Sequence, residues 1–165
     1  MGKKLGILVI GLLLIYGNER CKTFAGANPS ASVWASIAGD EQFSIFRDFL
    51  QATGWHEKLA DEKETYTVFA PTNAAFTKLG TAMLNEMNSP ANKEKLNFLL
   101  QRHIFKGSLD KEALIAAGKT PPSMNGNEYL VRRINNKWYI GNAHPTQNPL
   151  FARNGMFYVV DAVIE

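Results

Sequence analysis

The chain has 165 residues, with 45% hydrophobic and 20% charged side chains and a formal net charge of +3, which suits one ordinary domain with a real core. The basic excess comes entirely from residues 1–27; the remainder carries equal numbers of acidic and basic side chains. A neutral domain has no electrostatic footprint for nucleic acid, and a single cysteine, Cys21, excludes a disulfide framework.

Lys3 and Lys4 precede an apolar run, Leu5 to Tyr16, of signal-peptide length and short of the roughly 20 residues that span a bilayer. Ala25-Gly26-Ala27 suits cleavage after Ala27. Residues 1–27 are therefore expected to be an export signal and residues 28–165 the mature domain, secreted, periplasmic or held at the cell surface. Cys21 stands just after the apolar run, where bacterial lipoproteins carry their lipidated cysteine, although Asn18, Glu19 and Arg20 depart from the small and aliphatic residues of such sites. Lipidation at Cys21 is the alternative end of the signal, and the one route by which the chain would hold a membrane.

Ser32 is placed to cap a short helix carrying Val33, Trp34 and Ile37, which stops at Gly39. Asp40 caps the next, where Phe43, Phe46, Phe49 and Leu50 recur at helical spacing and Gly54 closes the run. Trp55 to Leu59 adds a helical turn, and Asp61 to Glu64 is a charged loop. Tyr66 to Ala70 combines β-branched and aromatic residues as a buried strand requires. Pro71 ends it for want of an amide hydrogen. Thr72 or Asn73 then caps a helix that buries Phe76 and Leu79.

Two further helical patterns follow, Ala82 to Met87 and Asn92 to Arg102, the second with Leu96, Leu99 and Leu100 on its buried side. His103 to Phe105 is short and extended, and Ser108 or Asp110 caps a helix through Leu114 and Ile115 that ends at Gly118. The last third reads as strands: Glu128 to Ile134, Lys137 to Gly141, Leu150 to Ala152 and Met156 to Ile164. Asn135-Asn136 and Asn154-Gly155 are the expected turns. Helices followed by strands argue for an α+β domain.

The run TVFAPTNAAF, Thr67 to Phe76, resembles the first signature segment of the fasciclin domain family at ten consecutive positions. Residues Asn154 to Glu165, NGMFYVVDAVIE, resemble its second signature, and the likeness extends from Ser32 to the end. It implies a compact β-sandwich or wedge of two sheets with helices packed around it. In such a fold Thr67, Phe69, Ala70, Pro71, Thr72, Asn73, Phe76, Asn154, Gly155 and Asp161 serve mainly to hold the structure. The resemblance also implies an exported bacterial adhesion or interaction module for a protein or polysaccharide partner.

Arg102 and His103 fall where the family carries a Tyr-His pair, beside a surface linked to adhesion in animal members. Arg102 in place of tyrosine weakens that transfer, and a satisfied structural histidine is the plain alternative. Pro149 stands where integrin-binding members have an aspartate, which removes the carboxylate such recognition uses. Leu150 and Phe151 are then either an apolar contact patch or core residues of a strand. Trp138 and Tyr139 alternate in direction on their hairpin. One exposed aromatic beside Arg132 or Arg133 would stack on a sugar or grip a protein, and cross-strand packing is the other reading.

Catalysis and metal binding lack their ingredients in the sequence. His56, His103 and His144 are far apart, and none has a second ligand at helical spacing. No Gly-rich phosphate loop or Gly-x-Ser-x-Gly elbow occurs. No catalytic residue, metal or cofactor is expected. A carrier of a small apolar ligand, held in a cleft between sheet and helices, is the alternative function.

Overall fold

Ser32 Oγ accepts the Ala35 amide at 3.2 Å and so begins α1, Val33–Ala38. The computed structural model describes residues 30–165; the expected signal, its cleavage site and Cys21 lie outside the described residues. Asp40 caps a 3₁₀ turn, Glu41–Phe43, that runs into α2, Ser44–Thr53. Gly54, at φ 83°, closes α2 and leads into α3, Trp55–Ala60. The helical spacing of Phe43, Phe46, Phe49 and Leu50 puts all four in the core.

Strand β1, Tyr66–Pro71, is buried along its whole length. Of the two candidate caps for α4, Asn73–Thr77, it is Thr72 that accepts the Ala75 amide. The next helices are α5, Thr81–Met87, and α6, Lys93–Gln101, joined by a 3₁₀ turn at Pro90–Asn92. Strand β2 is Ile104–Lys106, and Asp110 caps α7, Lys111–Ala117, by accepting the amides of Glu112 and Ala113.

Strands β3, Val131–Ile134, and β4, Lys137–Ile140, form a hairpin. Its turn residues Asn135 and Asn136 sit at φ 49° and 65°, the left-handed pair that a two-residue turn requires. β5 is Leu150–Ala152 and β6 is Gly155–Val160. Here the boundaries differ from expectation. β3 begins at Val131 and not at Glu128, and β6 ends at Val160 and not at Ile164. The β5–β6 turn is Arg153-Asn154, while Gly155 already pairs with Ala152. Gly155 has φ 145°, and a Cβ there would lie 1.9 Å from the Tyr66 carbonyl oxygen. Close approach to β1 is what demands glycine at this position.

The larger sheet has the order β2-β1-β6-β5, with β1 and β6 parallel and the other pairs antiparallel. Both faces of its centre are covered. Tyr66, Val68, Ala70, Phe157 and Val159 meet the helical core of Val33, Ile37, Phe43, Phe46, Phe76 and Leu100. On the other face, Phe69, Met156, Tyr158 and Val160 pack on Val131, Trp138 and Ile140 of the hairpin and on Leu114 of α7. The domain is thus α+β, two sheets with helices around them. Burial of each large apolar side chain contributes about 1.5–3 kcal/mol, so the two cores hold the fold without a cross-link.

Candidate functional site

The two signature segments are fasteners. Thr67 Oγ donates to the Gly107 carbonyl at 2.7 Å and accepts the Leu109 amide at 2.9 Å. Asn73 accepts the Ile45 amide and donates to the Glu41 carbonyl and Ser44 Oγ, tying α4 to the start of α2. Asn154 is buried; it accepts the Val33 amide at 2.8 Å and donates to the Leu59 and Asp61 carbonyls at 2.9 Å each. Asp161 accepts the His144 amide at 2.8 Å. Phe69, Ala70, Pro71 and Phe76 are buried. Most of these bonds are buried or part-buried, and each joins a signature segment to a neighbouring part of the fold.

His103 is fully buried, which corrects its place among contact residues. Its Nδ1–H donates to the Leu99 carbonyl at 3.0 Å and its Nε2 accepts the Ile164 amide at 2.9 Å. Burial lowers its pKa to about 4; the Leu99 carbonyl opposes this, and the Arg102 charge adds to it. Neutral imidazole is therefore the form that holds these elements together. Arg102, by contrast, is half-buried at the end of α6, with its guanidinium 5.4 Å from the Phe98 ring.

The hairpin geometry decides which aromatic faces out. Trp138 is only 6% exposed; its ring meets Phe69 at 6.3 Å and Tyr158 at 5.3 Å. It is a core residue, not an exposed stacking platform, because Val131, Trp138 and Ile140 share the face turned to the larger sheet. Tyr139 takes the outer face, directly opposite Arg132 in the β3–β4 register. Leu130 and Ile134, 54% and 49% exposed, flank that pair. Tyr139 also lies against His144, centroids 5.1 Å apart. His144 is held in turn through its Nδ1–H on the Trp138 carbonyl at 2.8 Å.

Beside this face runs a groove of about 500 Å³ between the hairpin and the segment 144–150, lined by Lys111, Lys137, His144, Gln147, Asn148 and Leu150. The edge of Trp138 reaches its wall. Leu150 packs partly into the helical core, whereas Phe151, one residue on, is 57% exposed on the edge strand β5. Trp138 and Leu150 thus meet at one groove. Arg102 belongs to another, about 450 Å³ between α5 and α6, where Met83, Met87, Phe98 and Leu99 provide an apolar lining. The two grooves share no residue. The sequence suggests Arg132 only as a neighbour of an aromatic, and it gives Phe98 no site role. The signal for Phe98 is a phenylalanine off the Leu96-Leu100 stripe of α6.

Among the described residues, no group of three or more His, Cys, Asp or Glu side chains is arranged to hold a metal ion. None of their helices is long and apolar enough to cross a membrane.

This geometry is a parallel β1–β6 pair fastened by both signature segments and flanked by helices and a hairpin. The chain belongs to the fasciclin domain family, whose model matches residues 41–165. It is 29% identical over 140 residues to Protein sll1483 of Synechocystis, covering 85% of this chain and 76% of that protein. It is 28% identical over 141 residues to the transforming growth factor-beta-induced protein ig-h3 of Oryctolagus cuniculus, covering 83% of this chain and 20% of that protein. The chain therefore spans about a fifth of that relative. Among solved structures, a FAS1 domain pair from the insect cell adhesion molecule Fasciclin I superimposes with a TM-score of 0.74 at 14% identity. The superposition covers 83% of this chain and 51% of the pair, and it shows the shared fold.

Proposed function

We propose that this chain is an exported interaction module that binds a protein or polysaccharide partner at the cell surface or matrix through the outer face of the β3–β4 hairpin. What carries this reading is the Arg132–Tyr139 pair, with Arg132 exposed and Tyr139 partly so, flanked by exposed Leu130 and Ile134. Tyrosine and arginine set among aliphatic side chains are the composition of interface hot spots. Arg132 has no ion-pair partner among the described residues, so an acidic group on the partner would complete it. Two apolar neighbours favour a protein over a sugar chain. The cell adhesion molecule that shares the fold supports the same reading. Export through residues 1–27, with Cys21 as the candidate lipid anchor, would put the domain where such partners are.

Binding of the protein to arrays of matrix proteins, envelope proteins and polysaccharides tests this beside an Arg132→Ala, Tyr139→Ala double variant. A saturable hit lost in the folded variant supports the hairpin. A hit that survives moves the site elsewhere.

A second reading, carriage of a small apolar ligand, draws on the α5–α6 groove. The space between the larger sheet and the helices, where the sequence suggests a cleft, is filled by the core. The apolar recess lies between two helices instead, with exposed Met83 and Phe98 in its walls.

A further inference from the structure

The α5–α6 groove is apolar along most of its length and ends at a cation without an ionic partner among the described residues. Met83 and Met87 of α5 face Phe98 and Leu99 of α6 across about 450 Å³, a volume within the range of small-molecule sites. Among the described residues, Phe98 and Phe151 are the phenylalanines that are not buried. Methionine side chains are flexible and adapt to a chain-like ligand.

Arg102 lies one turn beyond Phe98 and closes one end. Its Nε is shielded from solvent and has no hydrogen-bond partner, and among the described residues no carboxylate comes within ion-pair distance of it. The other charges of the groove are disposed differently. Lys95 is neutralised by Glu86 at 2.8 Å. Glu94 stands near the opposite end of α6, about 12 Å along the axis from Arg102 at 1.5 Å per residue. The terminal nitrogens, unlike the shielded Nε, are open to a ligand, and a carboxylate set on both of them would meet the planar fork that guanidinium offers and supply the charge partner that the helix pair lacks.

We propose that this groove binds a single-chain fatty acid, with its acyl tail against Met83, Met87, Phe98 and Leu99 and its carboxylate on the Arg102 fork. The proposal rests on the carrier reading and adds the head group to it. Carboxylate and tail are recognised separately. Affinity therefore falls in different ways when each is removed.

The test is titration of the protein at pH 8 with dodecanoate, below its micelle concentration, and with dodecanol, following the methyl signals of Met83 and Met87 by NMR. Dodecanoate binds in a one-to-one ratio, shifts both methyls and binds at least about tenfold tighter than dodecanol, the gain of one charge-assisted contact. Arg102→Gln, whose fold is checked by circular dichroism, brings dodecanoate to the level of dodecanol. Arg102→Lys, which keeps the charge without the fork, falls between. Phe98→Ser weakens both ligands. Equal binding of the two ligands, or an unchanged Arg102→Gln variant, overturns the head-group assignment and leaves the carrier reading standing. No binding by either ligand, or shifts confined to other residues, overturns both.

Discussion

His103 Nε2 accepts the Ile164 amide at 2.9 Å while its Nδ1–H donates to the Leu99 carbonyl, so one buried imidazole joins the end of α6 to the end of the chain. Protonation would put a hydrogen where the Ile164 amide points. Burial already lowers the pKa to about 4, below the ordinary histidine value of about 6.5. The unfolded chain then takes up the proton first as pH falls, so this stabilisation is complete above about 6.5 and lost on the way down to about 4. A tenfold difference in proton affinity between the folded and unfolded chains is worth about 1.4 kcal/mol. Urea denaturation from pH 7.5 to 5 is expected to show stability falling as the pH is lowered. His103→Gln is expected to flatten that slope and to lower stability at pH 7.5 by about 2 kcal/mol. An equal slope in both proteins would remove His103 as its source.

Asn154 makes three hydrogen bonds to the backbones of α1, α3 and the loop after α3. Asn154→Ala leaves the Val33 amide and two carbonyls unsatisfied in a dry place. A loss of about 2–3 kcal/mol is expected in chemical denaturation. A loss below about 0.5 kcal/mol would mean that water replaces the amide.

Of the described glycines, Gly155 is expected to be the least replaceable, because any Cβ meets the Tyr66 carbonyl oxygen. Gly155→Ala separates the central parallel pair. Scanning calorimetry should show the melting temperature falling by about 10 °C or more, given roughly 3 °C per kcal/mol for a domain of this size. Gly54→Ala, with nothing within 4 Å but a positive φ, should cost only about 1 kcal/mol.

Trp138 and Tyr139 are adjacent yet should respond oppositely. Trp138→Ala opens a cavity beside Phe69 and Tyr158, with an expected loss of about 3–5 kcal/mol. Tyr139→Ser changes a half-exposed residue and should cost about 1 kcal/mol or less. Denaturation of the two variants side by side checks the assignment of the hairpin faces.

Much of the fold is legible in the sequence because its signals are local. Thr67 to Phe76 contains its own strand, break, cap and helix, and Asn135-Asn136 names its own turn. What stays hidden depends on distant partners. Nothing near Trp138 says which hairpin face meets the larger sheet, so the inward residue is as eligible for contact as Tyr139. Gly155 looks like a turn residue because the strand that crowds it lies far earlier in the chain. His103 is readable as a satisfied histidine, but its acceptor role requires knowing where Ile164 ends up. Phe98 escapes notice because the leucines of α6 already supply a buried stripe.

The most direct test of the proposed interaction face is hydroxyl-radical footprinting of the protein with and without a bound partner from the array. Protection of Leu130, Ile134 and Tyr139 is expected, while Met83, Phe98 and Phe151 keep their reactivity as internal references. Protection of the references, with the hairpin residues unchanged, would contradict the proposed face.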